Sequence, residues 1–199
     1  MSHSTKGFLI FSVLILVSSC PAENADTASS VTVRLYSDVQ LSTQTLSQAE
    51  QEATRIFRQA GIETVWVQCK PSPSPTDPRC EFPPGSKLLA MRIVPKALNA
   101  ADSIFGMAFL SQEGHGAYGD VFYESVETLH QQCNASVPRV LGHVMAHELG
   151  HLLLGSNAHT EIGIMRPHWF SEQLRAVERG ALFFSPEQAR LMRNRLGAV

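Results

Sequence analysis

The sequence predicts an α+β fold: a mixed, mainly β sheet packed on an N-terminal helix and on a second, His-bearing helix, with a helical C-terminal part. Three observations predict it. Strand-like alternating runs and one helical run fill the first part of the chain, a strong helical segment spans Val137 to Leu154, and the remainder carries shorter helical patterns. Of 199 residues, 44% are hydrophobic and 17% charged, an ordinary globular composition. The balance of 16 Lys+Arg against 18 Asp+Glu gives a net charge of -2 and no sign of a basic face, so no nucleic-acid partner is expected.

Residues 1–20 read as an export signal. Lys6 precedes the apolar run Phe8 to Val17. Ten residues are too few for a bilayer core of about 30 Å but suit a signal-peptide core. Val17-Ser18-Ser19-Cys20 is similar to a bacterial lipobox. Two outcomes stay open: membrane attachment through a lipidated Cys20, or secretion after cleavage between Ala22 and Ala28. Residues 21–30 are small and polar and read as a tether. Residues 31–199 then form one domain, in keeping with about 175 residues after processing. A monomer in the cell envelope or outside it is expected.

The elements follow in order. Val31 to Tyr36 alternates as a half-buried strand. Leu46, Ala49, Ala53, Ile56, Phe57 and Ala60 recur at helical spacing, with Ser47 and Glu50 as a capping box and Gly61 as a stop. Ile62 to Gln68 is a second strand and Leu88 to Val94 a third, separated by a Pro-rich loop. Ser103 to Leu110 and Ala117 to Tyr123 flank the Gly-rich turn Gln112 to Gly116, either as a hairpin or with one as an irregular edge. The helix Val137 to Leu154 has Pro138 near its start and Gly155 past its end. After a loop to about Phe170 come two shorter helices. The last starts at Ser185-Pro186-Glu187-Gln188, and its Arg190, Arg193 and Arg195 are expected on a solvated face. Cys69 and Cys80 bracket the Pro-rich loop, where a disulfide would fit an exported chain; Cys133 is the odd thiol and could compete for either.

Chemistry concentrates at His147-Glu148-Leu149-Gly150-His151, an HExxH motif on the strongest helix. Four residues place both imidazoles on one face, a turn apart, within reach of one zinc ion. Glu148 stands beside that face, where a general base belongs. Downstream lie Gly155, His159 and Gly163-Ile164-Met165. From His147 to Pro167 the chain resembles the metzincin zinc endopeptidases, whose motif HExxHxxGxxH precedes a tight turn containing Met. The resemblance implies Zn2+ as cofactor, His147, His151 and His159 as its ligands, Glu148 as base, Met165 as the turn methionine, and a peptide or protein as substrate. The match is not strict. The family places Gly seven and the third His ten residues after the first His; here Gly155 is eight and His159 twelve after, and Asn157 holds the family's third-ligand position. A longer helix and a returning loop would accommodate the difference.

Other residues compete for roles. His143 lies a turn before His147, too far from His151 for one ion to hold both, and reads as a packing or supporting residue. Glu172 or Glu178 would supply the third ligand in a gluzincin-type arrangement. Gly150 costs about 1 kcal/mol against Ala in a helix, which close passage of another backbone would explain. His168 could line the pocket or be a plain loop residue. His115 and the turn around it could border the cleft, and Tyr118 and Tyr123 are candidate oxyanion donors. The reading favoured by these residues is an exported zinc peptidase that hydrolyses peptide bonds with a metal-activated water and Glu148 as base. A zinc-containing surface binding module without catalysis, and a chance HExxH, are its rivals.

Overall fold

Strand pairing follows the hydrophobic alternation. A computed structural model describes residues 1, 29–70, 77–81, 88–96 and 105–197; the expected export signal, Cys20 and most of the tether lie outside the described residues. Strand β1 (Ser29–Ser37) turns Val31, Val33 and Leu35 to one face, where they are buried. It lies parallel between β2 (Ile62–Cys69) and β3 (Leu88–Val94). Parallel neighbours need a crossover, which for β1 and β2 is helix α1 (Thr43–Gln59). β3 pairs parallel with β5 (Tyr118–Phe122), and β4 (Gly106–Phe109) closes the sheet as an antiparallel edge. The order is β2-β1-β3-β5-β4, and the last two pair as a hairpin, one of the two arrangements the sequence left open.

Helix α1 starts before the anticipated capping box. Ser42, in extended backbone, accepts a hydrogen bond from the Thr45 N–H at 3.0 Å, so the helix begins one turn ahead of Ser47. A helix absent from the sequence reading, α2 (Tyr123–Gln131), follows β5 without a break and buries Val126 and Leu129. Helix α3 (Val137–Leu154) has the predicted limits, and every residue from Val140 to Leu153 is buried. It ends on Gly155 in the left-handed conformation (φ 63°), which reverses the chain at once. α4 (Ser171–Glu178) and α5 (Pro186–Gly197) complete the fold.

The core joins Val33 and Leu35 of β1, Ile56 and Phe57 of α1, and Leu141 and Met145 of α3 in one apolar cluster. Two arginines of α5 hold backbone carbonyls; Arg193 is half-buried, while Arg195 stays exposed as expected. Arg193 donates to the Ala60 carbonyl at 2.6 Å and Arg195 to the Gly114 carbonyl at 2.8 Å, pinning α5 to the end of α1 and to the β4–β5 turn; Arg190 is exposed. Cys69 and Cys80 form a disulfide with Cα atoms 5.8 Å apart, which settles the pairing; Cys133 is a half-buried free thiol. Among the described residues no helix is long and apolar enough to cross a membrane.

Candidate metal centre and active site

The helical spacing of His147 and His151 brings their Nε2 atoms to 3.1 Å. Both rings are oriented by backbone carbonyls. His147 Nδ1 lies 2.7 Å from the Ile164 oxygen and His151 Nδ1 2.8 Å from the Ser156 oxygen. A carbonyl only accepts, so each Nδ1 carries the proton of a neutral ring and each Nε2 a bare lone pair. Two lone pairs facing at this distance repel unless a cation lies between them. The loop after Gly155 brings in the third ring: ligand atoms of His147, His151 and His159 all lie within 4.8 Å of one another. The anticipated return of a longer loop is what the backbone does.

A proton is a poor occupant of this centre. Burial, with the charge of His151 second, pushes His147 down to about 3. Burial also lowers His151, and lowers His159 with a contribution from His168. Three neutral imidazoles with converging nitrogens are a donor set that suits zinc. Two ligands at about 2.05 Å in tetrahedral geometry stand roughly 3.3 Å apart, close to the separation of the two Nε2 atoms. The residues present therefore fit a zinc ion.

Glu148 lines the same cleft as the three rings without joining their cluster of ligand atoms. It is 3% exposed, and burial pushes its carboxyl up to about 8. Edge strand β4 passes directly over it: a Cβ on Gly106 would fall 2.7 Å from Glu148 Cγ and 2.2 Å from the Asp120 carbonyl oxygen. A cleft of about 260 Å³ opens there, lined by Phe105 to Ala108 together with His147, Glu148, His151, Asn157, His159, Pro167 and His168.

Met165 is fully buried under α3. Its segment is closed by a bond from the Thr160 N–H to the Met165 carbonyl at 2.9 Å. A Cβ on Gly150 would lie 2.7 Å from both Met165 Sδ and Phe184 Cε1. The glycine thus makes room for two side chains, where the sequence had offered a passing backbone or a merely tolerated helix glycine. Trp169 shares the Ile164 carbonyl with His147, donating from Nε1 at 3.2 Å.

The other competitors fall elsewhere. His143 is buried between α1 and α3, donating to the Arg139 carbonyl at 2.9 Å with Glu52 at 3.5 Å, as a packing residue should. Glu178 accepts from the Asn134 N–H at 2.9 Å and Glu172 stands in the first turn of α4; neither joins the histidine cluster. Tyr118 donates to Asp120 at 2.5 Å on the opposite face of β5 and Tyr123 starts α2, so neither lines the cleft. The Gly-rich turn with His115 packs against Gly155 and the end of α3, behind the cleft rather than on it. His168 does line it, which the sequence left open.

No protein-family model matches this chain, and no curated protein does. Solved structures do share its fold. The chain is similar to archaemetzincin from Methanopyrus kandleri, with a TM-score of 0.51 and 17% identity over 87% of this chain and 99% of that one. It is also similar to a zinc-dependent peptidase from Methanocorpusculum labreanum, with a TM-score of 0.54 and 15% identity over 80% of this chain and 99% of that one. At such identities the likeness is one of fold. The α+β architecture expected from the sequence is the observed one.

Proposed function

We propose that this protein is a zinc-dependent peptidase in which His147, His151 and His159 hold the metal and Glu148 is the general base. One observation carries the reading. Three neutral imidazoles converge at the floor of a cleft that also holds a buried carboxyl and runs along an unpaired strand edge. Support also comes from the two structural neighbours, one a zinc-dependent peptidase and the other an archaemetzincin.

Each part has a task. A bound zinc supplies a Lewis acid that polarises the scissile carbonyl and acidifies water. The free edge of β4 offers backbone N–H and C=O groups to an extended peptide laid alongside it. Glu148 takes the proton of the attacking water and returns it to the leaving amine. A nearby cation favours the ionised form of that carboxyl, opposing the effect of burial. Ile164 and Ser156 hold the two helical imidazoles in the tautomer that presents Nε2 to the metal. Met165, packed into the gap at Gly150, supports the segment from which Ile164 reaches His147. The apolar run Phe8 to Val17 supports export, with Cys20 as a lipidation site; mass spectrometry of the mature N-terminus tests both.

The deciding experiment is metal content beside peptide cleavage, for wild type, His159→Ala and Glu148→Gln. About one zinc in wild type, much less in His159→Ala, and zinc without turnover in Glu148→Gln are expected. Equal zinc in wild type and His159→Ala would move the third ligand elsewhere. Zinc without cleavage of any peptide in a broad library would make the protein a binding module.

A further inference from the structure

Beyond the three clustered imidazoles and Glu148, the cleft is lined by only two side chains with N–H donors among the described residues, Asn157 and His168. Hydrolysis of a peptide bond makes the carbonyl oxygen an anion, and a donor aimed at that charge is commonly worth a large rate factor. The tyrosines that the sequence offered for this task are committed elsewhere. Tyr118 is bonded to Asp120 on the same face of β5 and Tyr123 lies off the cleft.

His168 is placed for it. It follows Pro167 in the lining of the cleft that also holds β4 residues 106–108, and it is exposed. It lies near enough to His159 to act on that residue electrostatically, yet it does not join the cluster of converging ligand atoms. Its neighbour Trp169 is buried and anchored to the Ile164 carbonyl, the same atom that orients His147. The segment bearing His168 is thereby tied to the metal centre. His168 also lines a second, largely apolar pocket of about 220 Å³ beside the cleft, together with Phe105, Leu129 and Trp169. It therefore stands on the ridge between the reacting centre and a neighbouring hollow, beside any substrate that crosses from one to the other.

Resting on the peptidase reading, we propose that His168 is a further catalytic residue: its imidazole N–H donates a hydrogen bond to the substrate carbonyl oxygen as that oxygen gains negative charge. No proton changes hands in this role. Asn157, on the ligand loop between His151 and His159, is the alternative donor, and the experiment includes it.

The test uses the full chain loaded with one zinc and two probes with the same phenylalanine side chains. One is a phosphinic pseudopeptide, whose tetrahedral phosphinate presents an anionic oxygen; the other is a peptide thiol, which has none. Calorimetry gives the affinity of each for wild type, His168→Ala, His168→Gln and Asn157→Ala. Expected is a loss of roughly 10- to 100-fold for the phosphinate in His168→Ala, with thiol affinity and zinc content unchanged and partial recovery in His168→Gln. Because His168 is exposed, its replacement leaves the core intact. Equal loss for both probes, no loss for either, or a selective loss in Asn157→Ala instead overturns the assignment and leaves the peptidase reading standing. Absence of zinc, or failure of wild type to bind either probe, overturns both.

Discussion

Replacing Gly106 by alanine tests the link between the edge strand and Glu148, the proposed general base. The new Cβ would lie 2.2 Å from the Asp120 carbonyl oxygen and 2.7–2.8 Å from Glu148 Cγ and Cδ. The carbonyl belongs to the β5 backbone and cannot swing aside. Restoring a contact of about 3.5 Å requires β4 to move by roughly 1 Å. Overpacking of this kind costs about 1–3 kcal/mol, a fall in melting temperature of about 2–12 °C for a domain of this size. The displaced strand is also the proposed substrate rail, and a 1 Å error there is worth about 100-fold in rate. The assay pairs thermal unfolding with zinc content and peptide cleavage. Gly197→Ala, where no heavy atom lies within 4 Å of the added Cβ, is the matched control. Expected are retained zinc, a lowered midpoint and a collapsed rate for Gly106→Ala alone. A variant with wild-type midpoint and wild-type rate would show that β4 does not ride on Glu148 and would refute the geometry.

Three further outcomes follow from the same structure. Burial holds His143 down to about 4 against an ordinary 6.5, so the folded chain binds fewer protons than the unfolded chain between those values. Its contribution is complete above pH about 6.5 and is lost as pH falls towards 4, to a limit of about 3 kcal/mol. Urea unfolding of metal-free wild type and His143→Gln should therefore shift in favour of the variant between pH 7 and pH 5; an unchanged difference would count against a neutral buried ring. The Cys69–Cys80 bridge spans a sequence separation of 11, so the double Ser variant should lose about 2–3 kcal/mol in the chain-entropy model, read from denaturant midpoints. Chelation should lower the melting temperature of wild type and zinc should restore it, while His147→Ala should respond to neither, because an ion that binds only the folded chain stabilises it by mass action.

Where local chemistry decides, the sequence was enough. The limits of α3 were legible because its apolar run is long, begins at Pro138 and stops at a glycine. Its burial from Val140 to Leu153 also leaves the HExxH residues no exposed face, and that needs neighbours the sequence does not name. Helix α2 was hidden because Val121, Phe122 and Tyr123 continue a strand pattern, and no side chain caps the helix start. The placement of Tyr118 could have been read from period two. Gly119 and Val121 face the helices, so Tyr118 and Asp120 face the other way. Arg193 and Arg195 look like a solvated face within their own helix, and only tertiary packing supplies the carbonyls they hold.

The offset of His159 is instructive because the structure absorbs it while keeping the three imidazoles clustered. One extra helical residue advances the helix end by about 1.5 Å and turns it by about 100°. Gly155 then reverses the chain, and the Ser156 carbonyl returns to His151 Nδ1. Further on, the Thr160–Met165 bond closes the segment and the Ile164 carbonyl reaches His147 Nδ1. The stretch that carries His159 is thus fastened at both ends to the two helical imidazoles. In this chain those two carbonyls come back to α3 across a loop longer than the fixed-spacing motif allows. A motif written as fixed spacing sees Asn157 at the ligand position, whereas the ring that clusters with His147 and His151 is that of His159.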